Sequence, residues 1–202
     1  MTTTVGIAVK DGVVLATDKR VTAGYYIAHK RGEKIWKIDD HVAATMSGGV
    51  ADLQSVLSFL TLRAHEYKIE YKRPIPISAL VNYMSLILFY SRPYIYIVHS
   101  IIGGVDEEEG AVLYMVDWLG TVTKEKYIAT GSGSPYAKGA LEVGYREDMT
   151  LEDAVDLAIK AVKAAIRNDP GSGEGIDVVV ITRKEGFKRV FTTQQKLVLP
   201  SL

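Results

Sequence analysis

Thr2 is the residue of this 202-residue chain whose position could do chemistry unaided. Methionine ahead of so small a side chain is commonly trimmed in cells. The mature chain could then begin at Thr2, with a hydroxyl nucleophile and a free α-amine in one residue. An α-amine with an ordinary pKa of about 8 can act as general base near neutrality, where lysine side chains are mostly charged. Asp18 follows the second strand-like run and Lys34 opens the fourth. Two successive hairpins would return both to the start of the first strand. A buried Lys34 ammonium there would favour the Thr2 alkoxide and depress the amine, while Asp18 would keep Lys34 charged and oriented. Ser47-Gly48-Gly49 offers backbone N–H groups uncrowded by side chains, the makings of an oxyanion hole. Each of these residues also has a plain structural reading, and spacing alone does not choose between them.

Other chemistries find little support. His29, His41, His65 and His99 stand neither three nor four residues apart, so no helical pair of metal ligands is visible. Gly131-Ser132-Gly133-Ser134 resembles a phosphate loop only loosely, because it lacks the Gly-Lys-Ser/Thr ending. No metal or organic cofactor is implied. Lys plus Arg and Asp plus Glu both number 24, so the formal net charge is zero and nothing electrostatic points to nucleic acid or an anionic membrane. There is no cysteine, which excludes disulfides and thiolate chemistry and fits a reducing compartment. No run approaches the roughly 20 apolar residues of a membrane span, and the Met-Thr-Thr-Thr-Val-Gly start is not a signal peptide. A cytoplasmic location is expected.

The elements that must position these residues follow from hydrophobic period. Val5, Ile7 and Val9 alternate with Gly6, Ala8 and Lys10, and Asp11-Gly12 turns the chain into Val13–Ala16. A second hairpin is expected from Tyr25–His29 through Arg31-Gly32 to Lys34–Ile38, followed by Val42–Met46. From Val50 the spacing becomes helical and runs to about Tyr71, where Pro74 and Pro76 stop it. Ser78 is a candidate cap for a second helix ending before Pro93. Tyr94–Gly104 and Ala111–Trp118 read as a strand pair across the acidic turn Asp106–Gly110, and Lys126–Ala129 as a short strand. Gly131–Pro135 opens a helix to about Tyr145, Thr150 caps another, and Ile176–Thr182 with Lys188–Phe191 forms a last hairpin. Strands, two helices, strands, two helices, strands is not the alternation of a doubly wound sheet. It predicts an α+β domain spanning residues 1–202, with two antiparallel sheets and helices on their outer faces.

The blocks Thr2–Ile7 and Ala16–Thr22, then Lys34, Ser47-Gly48, Thr130–Ser134, Asp169 with Gly171-Ser172-Gly173, and Ile176-Asp177-Val178 together resemble the β-type subunits of proteasomes, especially archaeal ones. The likeness covers nearly the whole chain. It implies the N-terminal nucleophile hydrolase fold, a four-layer αββα sandwich, and two seven-membered β rings stacked between two rings of α-type subunits. It also implies a threonine endopeptidase that degrades unfolded polypeptide inside the chamber, fed by an ATPase regulator acting through the α ring. The matching catalytic positions are Thr2, Asp18, Lys34, the Gly48 N–H, and a supporting network of Ser132, Asp169 and Ser172. The matching substrate-pocket positions are Val21, Gly32, Trp36, Met46, Val50 and Gln54, of which Met46 and Val50 would favour cleavage after large hydrophobic residues. One departure stands out: many relatives carry a propeptide removed at a Gly-Thr bond, whereas here only Met1 precedes Thr2. Met1 is therefore expected to be trimmed or to be a residual propeptide. Retained, it would turn the amine into an amide and leave a silent, ring-building subunit beside a second, active β type. A bacterial two-ring relative fits the Gly-Ser-Gly-Ser-Pro and Asp169/Ser172 blocks less well, and an α-type role would require an N-terminal helical extension.

Overall fold

The computed structural model describes residues 1–193. It begins with the strand pair β1 (Thr4–Val9) and β2 (Gly12–Asp18), joined at the Asp11-Gly12 turn. β1 and β2 form one sheet with the C-terminal pair β12 (Ile176–Thr182) and β13 (Gly186–Thr192), and with β11 (Tyr127–Thr130), in the order β11-β1-β2-β12-β13. The second sheet has the order β10-β9-β8-β6-β5, built from β5 (Ile35–Asp39), β6 (Val42–Thr45), β8 (Val98–Asp106), β9 (Gly110–Val116) and β10 (Val122–Lys124). The two-residue β7 (Ser47–Gly48) pairs with β8 off that path. All of these pairings are antiparallel.

Three apolar clusters separate four layers. Helices α1 (Val50–Tyr71) and α2 (Ile77–Tyr90) bury Leu53, Leu57, Leu60, Leu80 and Met84 against the second sheet. Helices α3 (Ser134–Gly144) and α4 (Leu151–Asn168) bury Leu141, Ala158 and Val162 against Val5, Ile7 and Val178 of the first. Between the sheets lie Ala8, Val13, Leu15, Ile101, Leu113 and Val179. The alternation in β1 therefore divides two buried faces rather than core from solvent. Val5 and Ile7 point to the helices, and small Gly6 and Ala8 let the sheets close, with Ile101 and Leu113 pressing on Gly6. The expected αββα sandwich is what forms.

Several local expectations give way to tertiary contacts. Tyr25–His29 does not pair with Lys34–Ile38. As β4 (Tyr26–His29) it pairs with β3 (Val21–Ala23), because Gly24 at φ +59° supplies the tight turn, and β5 pairs with β6. Ser78 does not cap α2; Pro76 holds the cap position and the distant Asp106 carboxylate accepts from the Ile77 N–H at 2.7 Å. The strand expected from Tyr94 begins only at Val98, since the Ile97 N–H donates to Asp52 in the first turn of α1. β9 stops at Val116 because Asp117 accepts from Leu119 and Thr121 N–H in a turn that leads to β10, a strand the periodicity did not suggest. The Thr150 cap forms as expected, in a reciprocal box with Asp153.

Candidate active site

The end of β2 and the segment leading into β1 meet at one buried carboxylate. Asp18 is fully buried and Lys34 nearly so. Asp18 Oδ1 accepts from Lys34 Nζ at 2.6 Å and from the Thr3 N–H at 2.9 Å, so the ammonium and the Thr2–Thr3 peptide converge on the same oxygen. Oδ2 accepts from the Arg20 and Gly173 N–H groups at 3.0 and 2.9 Å. Burial pulls the Lys34 pKa below its ordinary value, against the opposing attraction and hydrogen bond of Asp18.

A second carboxylate stands where α4 ends. Asp169 Oδ2 accepts from Ser132 Oγ at 2.7 Å and Ser172 Oγ at 2.6 Å, and Oδ1 from the Gly171 N–H at 3.0 Å. Burial raises the Asp169 pKa, but these three donors outweigh it and hold the carboxyl below its usual range. Ser132 Oγ in turn accepts from the Thr2 N–H at 3.1 Å, and Ser172 Oγ lies 2.6 Å from Thr3 Oγ1. The Gly131–Gly133 turn is thus a cradle for the start of the chain. Gly133 N–H donates to Thr2 O, and Gly131, at φ +90°, lies so close to Thr2 O that a side chain there would collide with it. Only glycine tolerates both conditions.

Gly48 shows a related constraint. Its φ is +135°, and a Cβ would run into Ile97 O. Gly49 N–H donates to Ile97 O at 2.8 Å, and Gly48 is the register partner of Val98. In an antiparallel ladder, hydrogen-bonded and non-bonded pairs alternate, so the Gly48 N–H points away from β8.

Thr2, 7% exposed, and Gly48 lie on the wall of a cavity of about 830 Å³. Val21, Gly32, Trp36, Met46, Val50 and Gln54 all line it, so the structure brings together every one of the six expected pocket positions. Met46 is buried within it, while Trp36 and Val50 are more open. Sequence reasoning missed Leu53, one helical residue before Gln54, and a basic rim of His29, Lys30 and Arg31. It also missed Thr3, whose N–H and hydroxyl touch Asp18 and Ser172; its place one residue after Thr2 was the available signal. Met1 lines the same cavity, with its amine 3.2 Å from Thr22 Oγ1. Among the described residues no group of three His, Asp or Glu is placed to hold a metal ion. None of the described helices is long and apolar enough to cross a membrane.

A layered αββα fold with Thr2, Lys34 and Gly48 on one cavity wall, and Asp18 paired to Lys34 behind it, is the sandwich of the N-terminal nucleophile hydrolase fold. The family model for proteasome subunits matches residues 1–181. "Proteasome subunit beta 1" of Pyrobaculum neutrophilum is 92% identical over 199 residues, covering 98% of this chain and 99% of that protein. The protein of the same name from Pyrobaculum arsenaticum is 84% identical over 202 residues, covering 100% of both chains. "Proteasome subunit beta 2" of Nitrosopumilus maritimus is 45% identical over 198 residues, covering 98% of this chain and 93% of that one. The chain belongs to the proteasome family, as an archaeal-type β subunit, and so to assemblies built with other proteasome subunits.

Proposed function

We propose that this β subunit is the cutting subunit of its particle, a threonine endopeptidase with Thr2 as nucleophile once Met1 is removed. Residues 1–202 act as one β-type domain, in two seven-membered β rings stacked between α rings, and receive unfolded chains fed by an ATPase regulator in the cytoplasm. The observation that carries the reading is the Asp18 oxygen shared by Lys34 Nζ and the Thr3 N–H, which brings a buried ammonium to the Thr2–Thr3 peptide at the cavity wall.

In this reading the freed Thr2 amine accepts the hydroxyl proton as Oγ adds to the peptide carbonyl. Lys34, held by Asp18, stabilises the forming alkoxide, and the Gly48 N–H donates to the carbonyl oxygen as it gains charge. The amine then gives its proton to the departing peptide nitrogen, leaving an ester on Thr2. Water, deprotonated by the same amine, cleaves the ester and restores the hydroxyl. Ser132, Asp169 and Ser172 hold the amine and that water in place. Met46, Leu53, Trp36 and Val50 accept a large hydrophobic side chain on the amino side of the cut bond. Replacing Thr2 with Ala in the assembled particle is expected to abolish peptide hydrolysis and leave assembly intact; hydrolysis near the wild-type rate would assign the nucleophile elsewhere. Peptide-library profiling is expected to show cleavage mainly after Leu, Phe, Tyr or Met, and dominant cleavage after Lys or Asp would refute the pocket assignment.

A second reading follows if Met1 is kept. Met1 occupies the cavity wall, and the Thr2 nitrogen is an amide that donates to Ser132. A subunit that keeps Met1 has neither base nor accessible nucleophile, and would build rings while another β subunit cuts. The intact mass of the assembled chain separates the two.

A further inference from the structure

We propose that Arg20 is a positioning residue, a cationic clamp at the end of β2 that holds the loop from Asp169 to Gly175 in the shape that presents Ser172 and the Gly173 N–H to the two site carboxylates. This rests on the threonine-nucleophile reading for its catalytic consequence, though the clamp itself is a statement about the loop.

Three consecutive residues grip that loop. Asp18 takes the Gly173 N–H, and the Lys19 N–H donates to Gly173 O at 3.0 Å. Arg20 reaches further along the loop on both sides. Nη1 donates to Pro170 O at 2.7 Å and Nη2 to Glu174 Oε1 at 3.2 Å. Between these anchors the guanidinium lies flat beneath Gly173: a Cβ there would stand 2.5 Å from Nη2, 2.6 Å from Cζ and 2.8 Å from Nε. Among the described residues Nε is buried without a partner, and the side chain's hydrogen bonds are the two forked contacts. A planar fork can satisfy two acceptors in fixed directions at once, whereas an ammonium is a single point charge on a flexible stem.

The loop needs such a brace. Glu174 sits at φ +66° and Gly175 at +136°. Its internal ties include the Gly171 N–H to Asp169 Oδ1, the Ser172 N–H to Asp169 O and the Ser172 hydroxyl to Asp169 Oδ2. Ser172 Oγ meets both Asp169 Oδ2 and Thr3 Oγ1 at 2.6 Å, so a slip of the loop breaks two contacts of the network together. Arg20 touches no reacting atom; it acts through Ser172 and Gly173. Its charge has one further reach: Lys34 faces Asp18, Asp169 and Arg20, and Arg20 alone among these opposes Lys34 keeping its proton.

The test uses particles assembled with the α partner and carrying Arg20→Gln, Arg20→Lys or Glu174→Gln. A fluorogenic peptide ending in a large hydrophobic residue gives kcat and KM, and mass spectrometry follows amide hydrogen exchange over residues 170–175. An ångström-scale misplacement costs on the order of 10²-fold in rate. Arg20→Gln is therefore expected to lower kcat about a hundredfold with KM within about twofold, to speed exchange in the loop, and to move the alkaline limb of the rate upward. Arg20→Lys, reaching one acceptor, is expected to recover only part of the rate, and Glu174→Gln, still an acceptor, to lose little. Wild-type kcat and exchange in Arg20→Gln, or full rescue by Lys, overturns the clamp. Should Arg20→Gln fail to assemble, Arg20→Lys decides alone: faster loop exchange with lower kcat supports the clamp, and wild-type behaviour in both overturns it. If the wild-type particle itself cuts nothing, the protease reading fails while loop exchange still judges the clamp.

Discussion

Replacing Lys34 with Met separates what this residue does for the fold from what it does for the reaction. The Lys34–Asp18 pair is 2.6 Å apart, with side-chain exposures of 7% and 0%. Removing one partner of a buried pair usually costs about 3–5 kcal/mol, because the other charge is left uncompensated. Here the lower end is expected. Asp18 keeps three N–H donors, from Thr3, Arg20 and Gly173, and the substitution also relieves the burial that depresses Lys34. A loss of about 3 kcal/mol follows. Adding Asp18→Asn removes the stranded charge. The amide oxygen can still serve Arg20 and Gly173, but its NH₂ then faces the Thr3 N–H. The Thr3 N–H and the new NH₂ are then both left without an acceptor, at about 1–3 kcal/mol each, which offsets most of what removing the charge gains, so the double variant is expected to regain at most about 1 kcal/mol over the single one. Activity behaves differently. Loss of a preorganised charge at the forming alkoxide costs roughly 10²–10³ in rate, and Asn does not restore it. Guanidinium unfolding of the chain, followed through Trp36 and Trp118 fluorescence, gives the stability series. Peptide hydrolysis by assembled particles gives the rate series. Rates that recover together with stability in the double variant would refute the electrostatic role and leave Lys34 a folding residue.

Three further outcomes are expected. Because burial lowers the folded pKa of Lys34 below its ordinary 10.5, the unfolded chain holds the extra proton between the two values. The Lys34 contribution to stability therefore rises with pH across that window while activity falls there as the ammonium is lost; subtracting the Lys34→Met profiles isolates both slopes, and slopes of like sign would be inconsistent with a charged catalytic lysine. Met46→Lys is expected to cut hydrolysis after Leu and Phe by tenfold or more, the scale of about 1.5–3 kcal/mol for burying such a side chain, with inhibitor-free kinetics on matched peptides as the check. Asp177 is 1% exposed, and burial raises its pKa against the opposing pull of Arg189, whose Nε stands 3.2 Å away, and of Lys19 and Thr192; among the described residues neither carboxylate oxygen has a well-aligned donor. Among the described residues its register partner Thr17 has a buried hydroxyl with no hydrogen-bond partner. An amide at 177 can donate to it, so Asp177→Asn is expected to stabilise the chain at neutral pH by about 1 kcal/mol, a rise of roughly 2–4 °C in melting temperature. A fall of that size would show that Arg189 holds the carboxylate.

The parts of the site legible in the sequence are those set by local period and turn chemistry. Thr2 and Asp18 emerged because the β1–β2 hairpin is written in alternation and an Asp-Gly turn, and Gly48 because a Gly pair ends a strand run, whereas the second hairpin expected to bring Lys34 to them does not form. The Ser132–Asp169–Ser172 network and the pocket positions came from resemblance instead. Thr2 and Ser132 are separated by 130 residues, and no local pattern announces that a glycine turn will close over the chain start. The misplaced hairpin has a similar cause. Gly24 and Gly32 are both turn signals, and the choice between them depends on the Gly32 N–H, which is taken by Lys19 O. Asp106 capping α2 from 29 residues away is equally invisible to local reasoning.

The intact mass of this chain, taken from particles assembled with the α partner before and after exposure to a peptide electrophile that acylates N-terminal threonine, tests the central claim most directly. The expected result is a chain that begins at Thr2 and gains a single adduct, mapped to Thr2, with peptide hydrolysis lost in proportion. A chain that keeps Met1, or an adduct carried elsewhere while hydrolysis persists, would contradict it.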